Sequence, residues 1–528
     1  MPPVPWSWLR PKANCKGNPL WLPWAGTQAC PYEFDKEINM VVKKSFVGIL
    51  SVVALSVLSY IFLIPTAPCE GCFSIVAGKD ASVDGYVIMA HNEDDTGPQI
   101  VNHHKIPRRK HSPGEKVRLR NGGQLNQVEQ TWAYMWSEMP GMLFSDSYIN
   151  EWGVSITSDN CPSREDKPQI TDGGIGYMLR RLVAERARTA REGVLLAGRL
   201  VERFGYIDSG RTYFICDGDE GWLFCVVNGK HWLAKRVPDN QVAMIANTFT
   251  VHQVDLSDRD NFLASKDIVK YAVSRDWYKP EEDGPFDFAR VYANPESASS
   301  LSNIGRQWSG LSYVLAKPIA FGPNLPFSIV PRRKVGVARI MQILRHDYEA
   351  QKLPSALLTE NMAKTACAIC RGSTQTSFVV QLRRNFPLDI GIVYWVCLAP
   401  PRTSFYIPFH FGISEFGAGF CSKSERPSAV FYNEKVDGTF RAEPLQAFWT
   451  FSNFYNKVQD ASAKTITRIK AQAEQIEKNA LSLQKPVEEA AYRLYAKDKT
   501  TAMQILANYS NWLYLSSMEA MDRVLSKK

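Results

Sequence analysis

The stretch Cys72-Phe73-Ser74-Ile75-Val76-Ala77-Gly78-Lys79-Asp80-Ala81-Ser82-Val83-Asp84-Gly85 organises the reading of this chain, together with Tyr86 to Ala90 and His91-Asn92-Glu93-Asp94-Asp95 beyond it. Phe73 to Ala77 is a short β-type run, Gly78 to Gly85 is rich in turn residues, and Tyr86 to Ala90 is a second β run. They predict a hairpin whose polar far end returns toward Cys72, so that a thiol and a carboxylate distant in sequence can meet. A cut between Gly71 and Cys72 would give one residue both a thiol nucleophile and a free α-amine to serve as its base.

Upstream, Ser45 to Ile64 is an apolar segment preceded by the basic flank Met40-Val41-Val42-Lys43-Lys44. Read from Met40, this is a secretory signal peptide with its exit at Pro65-Thr66-Ala67-Pro68. Read from Met1, the same segment is long enough to cross a bilayer as a signal anchor. Residues 1–39, rich in Pro and Trp, read as a disordered extension, and 40–71 as the signal or anchor and processed propeptide. Both readings place the remainder in the secretory pathway, in a lysosome-like lumen or outside the cell, with a membrane contact through 45–64 if that segment stays uncleaved.

Over 528 residues, 45% apolar and 12% aromatic content supports a substantial core, and no long low-complexity linker divides the chain. The net charge of +9 is scattered and not gathered into a basic stripe with interleaved aromatics, which argues against nucleic acid as a partner. Cysteines at 72, 161, 216, 225, 367, 370, 397 and 421 are too widely spaced for a disulfide-dense small scaffold. Pairing of Cys72 with Cys69 is the bland alternative to catalysis. Cys367-Ala368-Ile369-Cys370 lacks the second pair or nearby histidine that a zinc site needs, so no metal and no dissociable cofactor are expected. Neither a Gly-x-Ser-x-Gly elbow nor a Gly-x-x-x-x-Gly-Lys phosphate loop is present.

Further along, Asn150 to Thr157 reads as a turn entering a strand, and Ile175 to Phe204 has the period of amphipathic helices. Thr212 to Cys216 and Gly221 to Val227 read as strands joined by Asp217-Gly218-Asp219-Glu220. From Phe448 onward the pattern is helical, with a break expected at Pro486. Strands beside long helices imply an α+β layered domain over 72–460, followed by a helical C-terminal region over 461–528.

The opening Cys-Phe-Ser-Ile-Val-Ala-Gly-Lys-Asp-Ala-Ser and the His-Asn-Glu-Asp run resemble the start of mature PepD-type dipeptidases, cysteine peptidases of the N-terminal-nucleophile hydrolase superfamily. An ordered set of further matches extends through Asn150-Glu151-Trp152-Gly153-Val154, Ala246-Asn247-Thr248-Phe249, Arg306-Gln307-Trp308, Leu344 to Glu349, Ile369-Cys370-Arg371-Gly372, Thr374 to Val379 and Pro400 to Gly412. Secernins and the choloylglycine hydrolase and penicillin V acylase group are more remote relatives. The resemblance implies a four-layer αββα sandwich with a helical C-terminal extension, and hydrolysis of amide bonds in dipeptides or similar small substrates.

The chemistry supports that implication independently. A thiol titrates near about 8.5 and an α-amine near about 7.7 to 8.0, so the neutral amine can accept the thiol proton without a histidine. The resemblance places Asp94 beside the nucleophile, where a carboxylate orients an ammonium group. It places His91 where the acylases carry an arginine, leaving a fixed-cation role open, with Asn92 next to it. Asn247 matches an oxyanion-hole asparagine, and Asn160 is a further candidate. Arg306 and Arg290 compete for the distal arginine of those relatives. Arg345-His346-Asp347 is read as structural or pocket-lining, because adjacent residues on a helix do not face one another.

The expected activity is therefore a cysteine dipeptidase. An amidase or acylase acting on a non-peptide amide shares the same machinery, and a non-catalytic secernin-like protein keeps only the fold. A homo-oligomer is compatible with either.

Overall fold

The computed structural model describes residues 71–95, 101–139, 146–317, 319–347, 368–417, 419–420 and 446–526. Residues 1–39, the apolar segment 45–64, Cys69, Cys367 and Cys421 lie outside them. The hairpin forms as strands β1 (Phe73–Ala77) and β2 (Ile88–Asp94), antiparallel, with Ser74 opposite His91 and Phe73 opposite Asn92. The turn between them closes through Ala81 and Ser82 amides donating to the Gly78 carbonyl, with Gly85 at φ 74°.

β2 does not end at Ala90. It runs to Asp94 because β17 (Thr374–Leu382) pairs along its other edge, so His91, Asn92, Glu93 and Asp94 lie in extended backbone and not in a turn. A bulge interrupts that pairing, with Thr374 opposite Asp94 and Thr376 opposite Glu93.

Two antiparallel sheets carry the fold. The seven-stranded sheet runs β16 (Ser328–Ile329), β14 (Val242–Ile245), β1, β2, β17, β18 (Ile392–Leu398), β19 (Ile407–His410). The eight-stranded sheet runs β15 (Phe262–Ala264), β13 (Trp232–Arg236), β12 (Gly221–Gly229), β11 (Tyr206–Cys216), β10 (Ser155–Asn160), β9 (Tyr148–Asn150), β8 (Tyr134–Glu138), β3 (Asn102–Ile106). Two ribbons, β4 (Arg109–Lys110) with β7 (Gln130–Thr131) and β5 (Lys116–Arg118) with β6 (Gln124–Asn126), stand apart from them.

The side-chain period of a strand is two, and the eight-stranded sheet uses it to serve two cores. On β12, Trp222, Phe224 and Val226 pack against Leu179, Leu182, Val194 and Val201 of the helices Met178–Arg186 and Ala190–Phe204. The alternate residues Leu223, Cys225 and Val227 enter the other core, which also takes Val76 of the seven-stranded sheet. β11 divides in the same way, Tyr213 and Ile215 to one side and Phe214 and Cys216 to the other. Each fully buried side chain of this size is worth about 1.5–3 kcal/mol, so the alternation fixes the register.

Helix Leu301–Leu315, capped by the Ser300 side chain, packs on β14 and β1. Gly310 permits the approach: a Cβ there would stand 2.4 Å from Met244 Sδ and 2.9 Å from Phe73.

The C-terminal helices Ala447–Val458, Ala463–Tyr495 and Lys499–Leu525 share the core of the seven-stranded sheet through Phe448, Ile469, Ala480, Leu506 and Leu513. Buried ion pairs join them to it: Arg345 with Glu477 at 2.6 Å, and Arg383 Nη1 with Glu488 at 2.8 Å. The break expected at Pro486 is not there, since one helix runs continuously from Ala463 to Tyr495. Gln484 and Glu488 are buried against the sheet on either side of the proline, and that docking outweighs the lost backbone hydrogen bond.

Candidate active site

Antiparallel pairing of β1 and β2 brings the two ends of the hairpin together. Continuing the register past Phe73 and Asn92 sets Cys72 against Glu93, and Cys72 Sγ lies 3.4 Å from Glu93 Oε2. The Asp94 carbonyl oxygen is 4.0 Å from the same sulfur. Cys72 is a free, buried thiol. Burial, the Glu93 charge and Asp159 push the thiol up to about 12, against a lowering by His91, so in the uncut chain the proton stays on sulfur.

His91 and Glu93, two residues apart on β2, face the seam between the sheets, and Asp159 on β10 closes the cluster from the opposite sheet. His91 Nε2 lies 2.9 Å from Asp159 Oδ1, and its Nδ1 lies 2.7 Å from Asp146 Oδ1. Ser74 donates to Asp159 at 2.8 Å, and Thr157 donates to the Asp146 carbonyl at 2.9 Å. Burial alone would lower the His91 basicity, but Asp146 and Asp159 on its two nitrogens hold it well above the usual range. The imidazole is therefore an imidazolium, with both N–H groups donated to carboxylates. A histidine here carries the fixed positive charge that the sequence left open.

Arg306, fully buried on helix Leu301–Leu315, reaches the backbone at the start of β1. Its Nη1 donates to the Gly71 carbonyl at 2.6 Å and also to the Cys72 carbonyl; its Nη2 donates to Asn247 Oδ1 at 2.9 Å and Asn303 Oδ1 at 2.8 Å. Asn247, just beyond β14, has φ 58°, a left-handed conformation that asparagine tolerates better than most residues. Its Nδ2 donates to the Asn160 carbonyl at 2.9 Å, so the side chain bridges the two sheets. A Cβ on Gly71 would stand 2.3 Å from Asn247 Oδ1 and 2.7 Å from Arg306 Nη2. Only glycine fits this cradle as the chain is arranged.

Asp94 is buried beside these groups, its Oδ1 accepting from Thr374 Oγ1 and its Oδ2 standing 3.8 Å from Arg371 Nε. Oδ2 makes no hydrogen bond among the described residues. Burial raises Asp94 to about 6, restrained by Arg371 and by the Thr374 hydrogen bond.

The structure thus gathers Cys72, His91, Asp94, Asn247 and Arg306. The other sequence candidates are placed differently. Asn92 points away from the seam and donates to the Leu344 and Ile369 carbonyls at 2.9 and 3.1 Å, fastening β2 to the following layer. Asn160 contributes its backbone carbonyl, while its side-chain oxygen accepts from Ser209. Arg290 is not at the site; it pairs with Asp283 at 2.9 Å with its side chain 48% exposed, on the outward side of the short helix Phe288–Tyr292, which Asp287 caps.

The triplet at 345–347 separates as well. Arg345 pairs with Glu477, His346 meets Tyr313 edge to face, and Asp347 pairs with Lys470. Glu93, Asp146 and Asp159 were not anticipated. The one signal was Glu93 within His-Asn-Glu-Asp, on the same strand face as His91.

A model of Peptidase family C69 matches residues 71–463. The chain is similar to a probable dipeptidase of Latilactobacillus sakei, 27% identical over 64% of this chain and 74% of that protein. It is also similar to a probable dipeptidase B of Streptococcus pyogenes serotype M1, 26% identical over 75% of this chain and 80% of that protein. Among solved structures, a mutant conjugated bile acid hydrolase from Clostridium perfringens superposes with a TM-score of 0.30 at 12% identity, over 64% of this chain and 92% of that one.

The lumenal, extracellular or membrane-anchored setting expected from the sequence does not stand. The relatives are bacterial proteins named as dipeptidases, and among the described residues no helix is long and apolar enough to cross a membrane.

Proposed function

Because the chain belongs to peptidase family C69 and is a peptide hydrolase, we propose that it hydrolyses dipeptides through Cys72 once cleavage before this residue has freed its α-amine. The observation that carries this reading is the cradle around the Gly71–Cys72 bond. The carbonyl preceding the thiol is held by Arg306, with Asn247 packed against it, as a scissile carbonyl must be held for a nucleophile to reach it.

In this reading the freed amine takes the thiol proton, and the thiolate attacks the substrate carbonyl to form an acyl-enzyme. The same amine then activates the water that hydrolyses it. Asp94 Oδ2, which makes no hydrogen bond among the described residues, would take one from the amine, and Arg306, oriented by Asn247 Oδ1, would stabilise the developing oxyanion. The His91 imidazolium, between Asp146 and Asp159, keeps positive potential near the sulfur. The two antiparallel sheets facing one another, each with helices packed against it, are read as the αββα sandwich.

The test is N-terminal mass mapping joined to turnover. Material beginning at Cys72 should hydrolyse dipeptides in preference to acyl-amino acids and N-acylated amines, and Cys72→Ala should not. Full turnover by Cys72→Ala, or by chain that still continues upstream of Cys72, would sink the assignment.

A further inference from the structure

In the uncut chain the Cys72 nitrogen is part of a peptide bond and cannot take a proton from the thiol. The thiol nevertheless belongs to the residue whose nitrogen is bonded to the Gly71 carbonyl that Arg306 holds, and the carboxylate to which it donates is Glu93 Oε2 at 3.4 Å. His91 also hydrogen-bonds the Cys72 side chain, but as an imidazolium donating to Asp146 and Asp159 it has no lone pair with which to take the thiol proton. Asp94 offers sulfur only its backbone carbonyl, its carboxylate being turned to Thr374 and Arg371. We propose that Glu93 is a catalytic carboxylate that carries the Cys72 proton while the nitrogen is still bonded to Gly71, so that the chain opens its own N-terminus; this rests on the reading of Cys72 as nucleophile.

Glu93 accepts the thiol proton, Sγ bonds to the Gly71 carbonyl carbon, and the oxygen charge that develops falls on the Arg306 guanidinium. The C–N bond to Cys72 breaks as Glu93 returns its proton to that nitrogen, leaving a neutral primary amine and a thioester. Water then attacks the thioester, the C–S bond breaks, and the upstream segment leaves as a Gly71 carboxylate while sulfur regains a proton. From this point the amine does what Glu93 did before.

The surroundings suit a carboxyl group that takes and returns a proton. Burial first, and then the Asp146 charge, raise Glu93 well above the ordinary carboxylate range, against the lowering by His91, Arg180 and Arg211. That brings its basicity closer to the thiol it must deprotonate. The His91 imidazolium, with Nε2 3.9 Å from Glu93 Oε2, limits the cost of a thiolate.

The experiment uses full-length chain and Glu93→Gln, in two forms. In the first, intact mass follows the appearance of chain starting at Cys72; Glu93→Gln should slow it at least about a hundredfold, in the range of general acid–base contributions, and Glu93→Asp should restore part of the rate. In the second, a recognition sequence for a site-specific protease is placed before Cys72, and dipeptide turnover is compared for opened wild-type and opened Glu93→Gln chain, where the loss should be at least about tenfold smaller than the loss in the rate of opening.

Release of Cys72 at the wild-type rate overturns the proposal. So does an opened Glu93→Gln chain whose turnover falls as far as its rate of opening, which would make Glu93 a support for the fold. If opened wild-type chain fails on every dipeptide, the dipeptidase reading falls instead, while the mass measurement still decides the role of Glu93.

Discussion

The Gly71 carbonyl oxygen accepts a hydrogen bond from Arg306 Nη1 at 2.6 Å, which seats the peptide bond ahead of the thiol inside the site. The fit leaves no room for a side chain, because the atoms a Cβ would strike belong to a fully buried arginine with four other acceptors and to an asparagine tied across the sheets. Gly71→Ala is therefore expected to slow the appearance of an N-terminal Cys72 by at least about tenfold, or about 1.4 kcal/mol. The folded state should melt within a few degrees of wild type. Intact-mass time courses and thermal melts read both, and an unchanged rate would remove the steric argument.

Cys72→Ser keeps a hydroxyl in place of the thiol but loses its nucleophilicity. Dipeptide turnover should fall by more than about a hundredfold while KM changes little, since the loss is in the chemical step. Cys72→Ala should remove turnover altogether. Steady-state kinetics on material of verified N-terminus is the measurement.

His91→Gln leaves Asp146 and Asp159 facing each other without their shared cation. Breaking a buried pair of this kind costs about 3–5 kcal/mol. The folded-state value of His91 is raised, so its contribution is fully present below about pH 6.5 and is lost as pH rises through that higher value. Urea unfolding across pH should show the gap between wild type and variant narrowing on the alkaline side, and a gap that widened there would contradict the imidazolium.

Asp94 rises to about 6 in the folded protein, so a reaction that needs its carboxylate should gain rate as pH climbs through that value. Asp94→Asn should lose this limb and at least about tenfold in kcat/KM. Stability runs the other way: the Asp94 term is full below about pH 3.9 and is lost through about 6. The variant should therefore gain on wild type above that pH. Paired rate and melting profiles test both signs.

Burial alone would raise Glu488, but hydrogen bonds from His410 and Arg383 overcome it and bring it down to about 2. Its contribution is accordingly present above about pH 4.3 and is lost as pH falls toward about 2. Glu488→Ala should cost about 3–5 kcal/mol at neutral pH, with less difference from wild type in acid. Urea unfolding at the two pH values is the check.

The hairpin at Phe73 and the nucleophile at its mouth were legible because local turn chemistry and a short β run dictate them. What lay beyond reach was the side to which each residue of His91 to Asp94 points. Read as a polar strand end, the four are equivalent; paired on both edges, His91 and Glu93 face the seam while Asn92 binds the Leu344 and Ile369 carbonyls. Asp159 sits in an alternating strand where a carboxylate usually means solvent, and only the second sheet makes it interior. Arg290 and Arg306 look alike in sequence, and the face of the helix on which each stands, one outward and one fully buried, separates them. Pro486 carries the usual signal of a helix end, overruled by a sheet that the sequence shows only as scattered distant runs.

Strands β11 and β12 act as a spacer gauge. Phe214 apart, their rings lie on one side and smaller groups on the other, and these set how closely the sheets can approach where Ser74 and Asp159 touch. Shifting β12 by one residue would drive an indole and a phenyl ring toward that gap and pry His91 from its carboxylates. The charge state beside the sulfur is thus held in part by aromatic residues on the far face of another sheet.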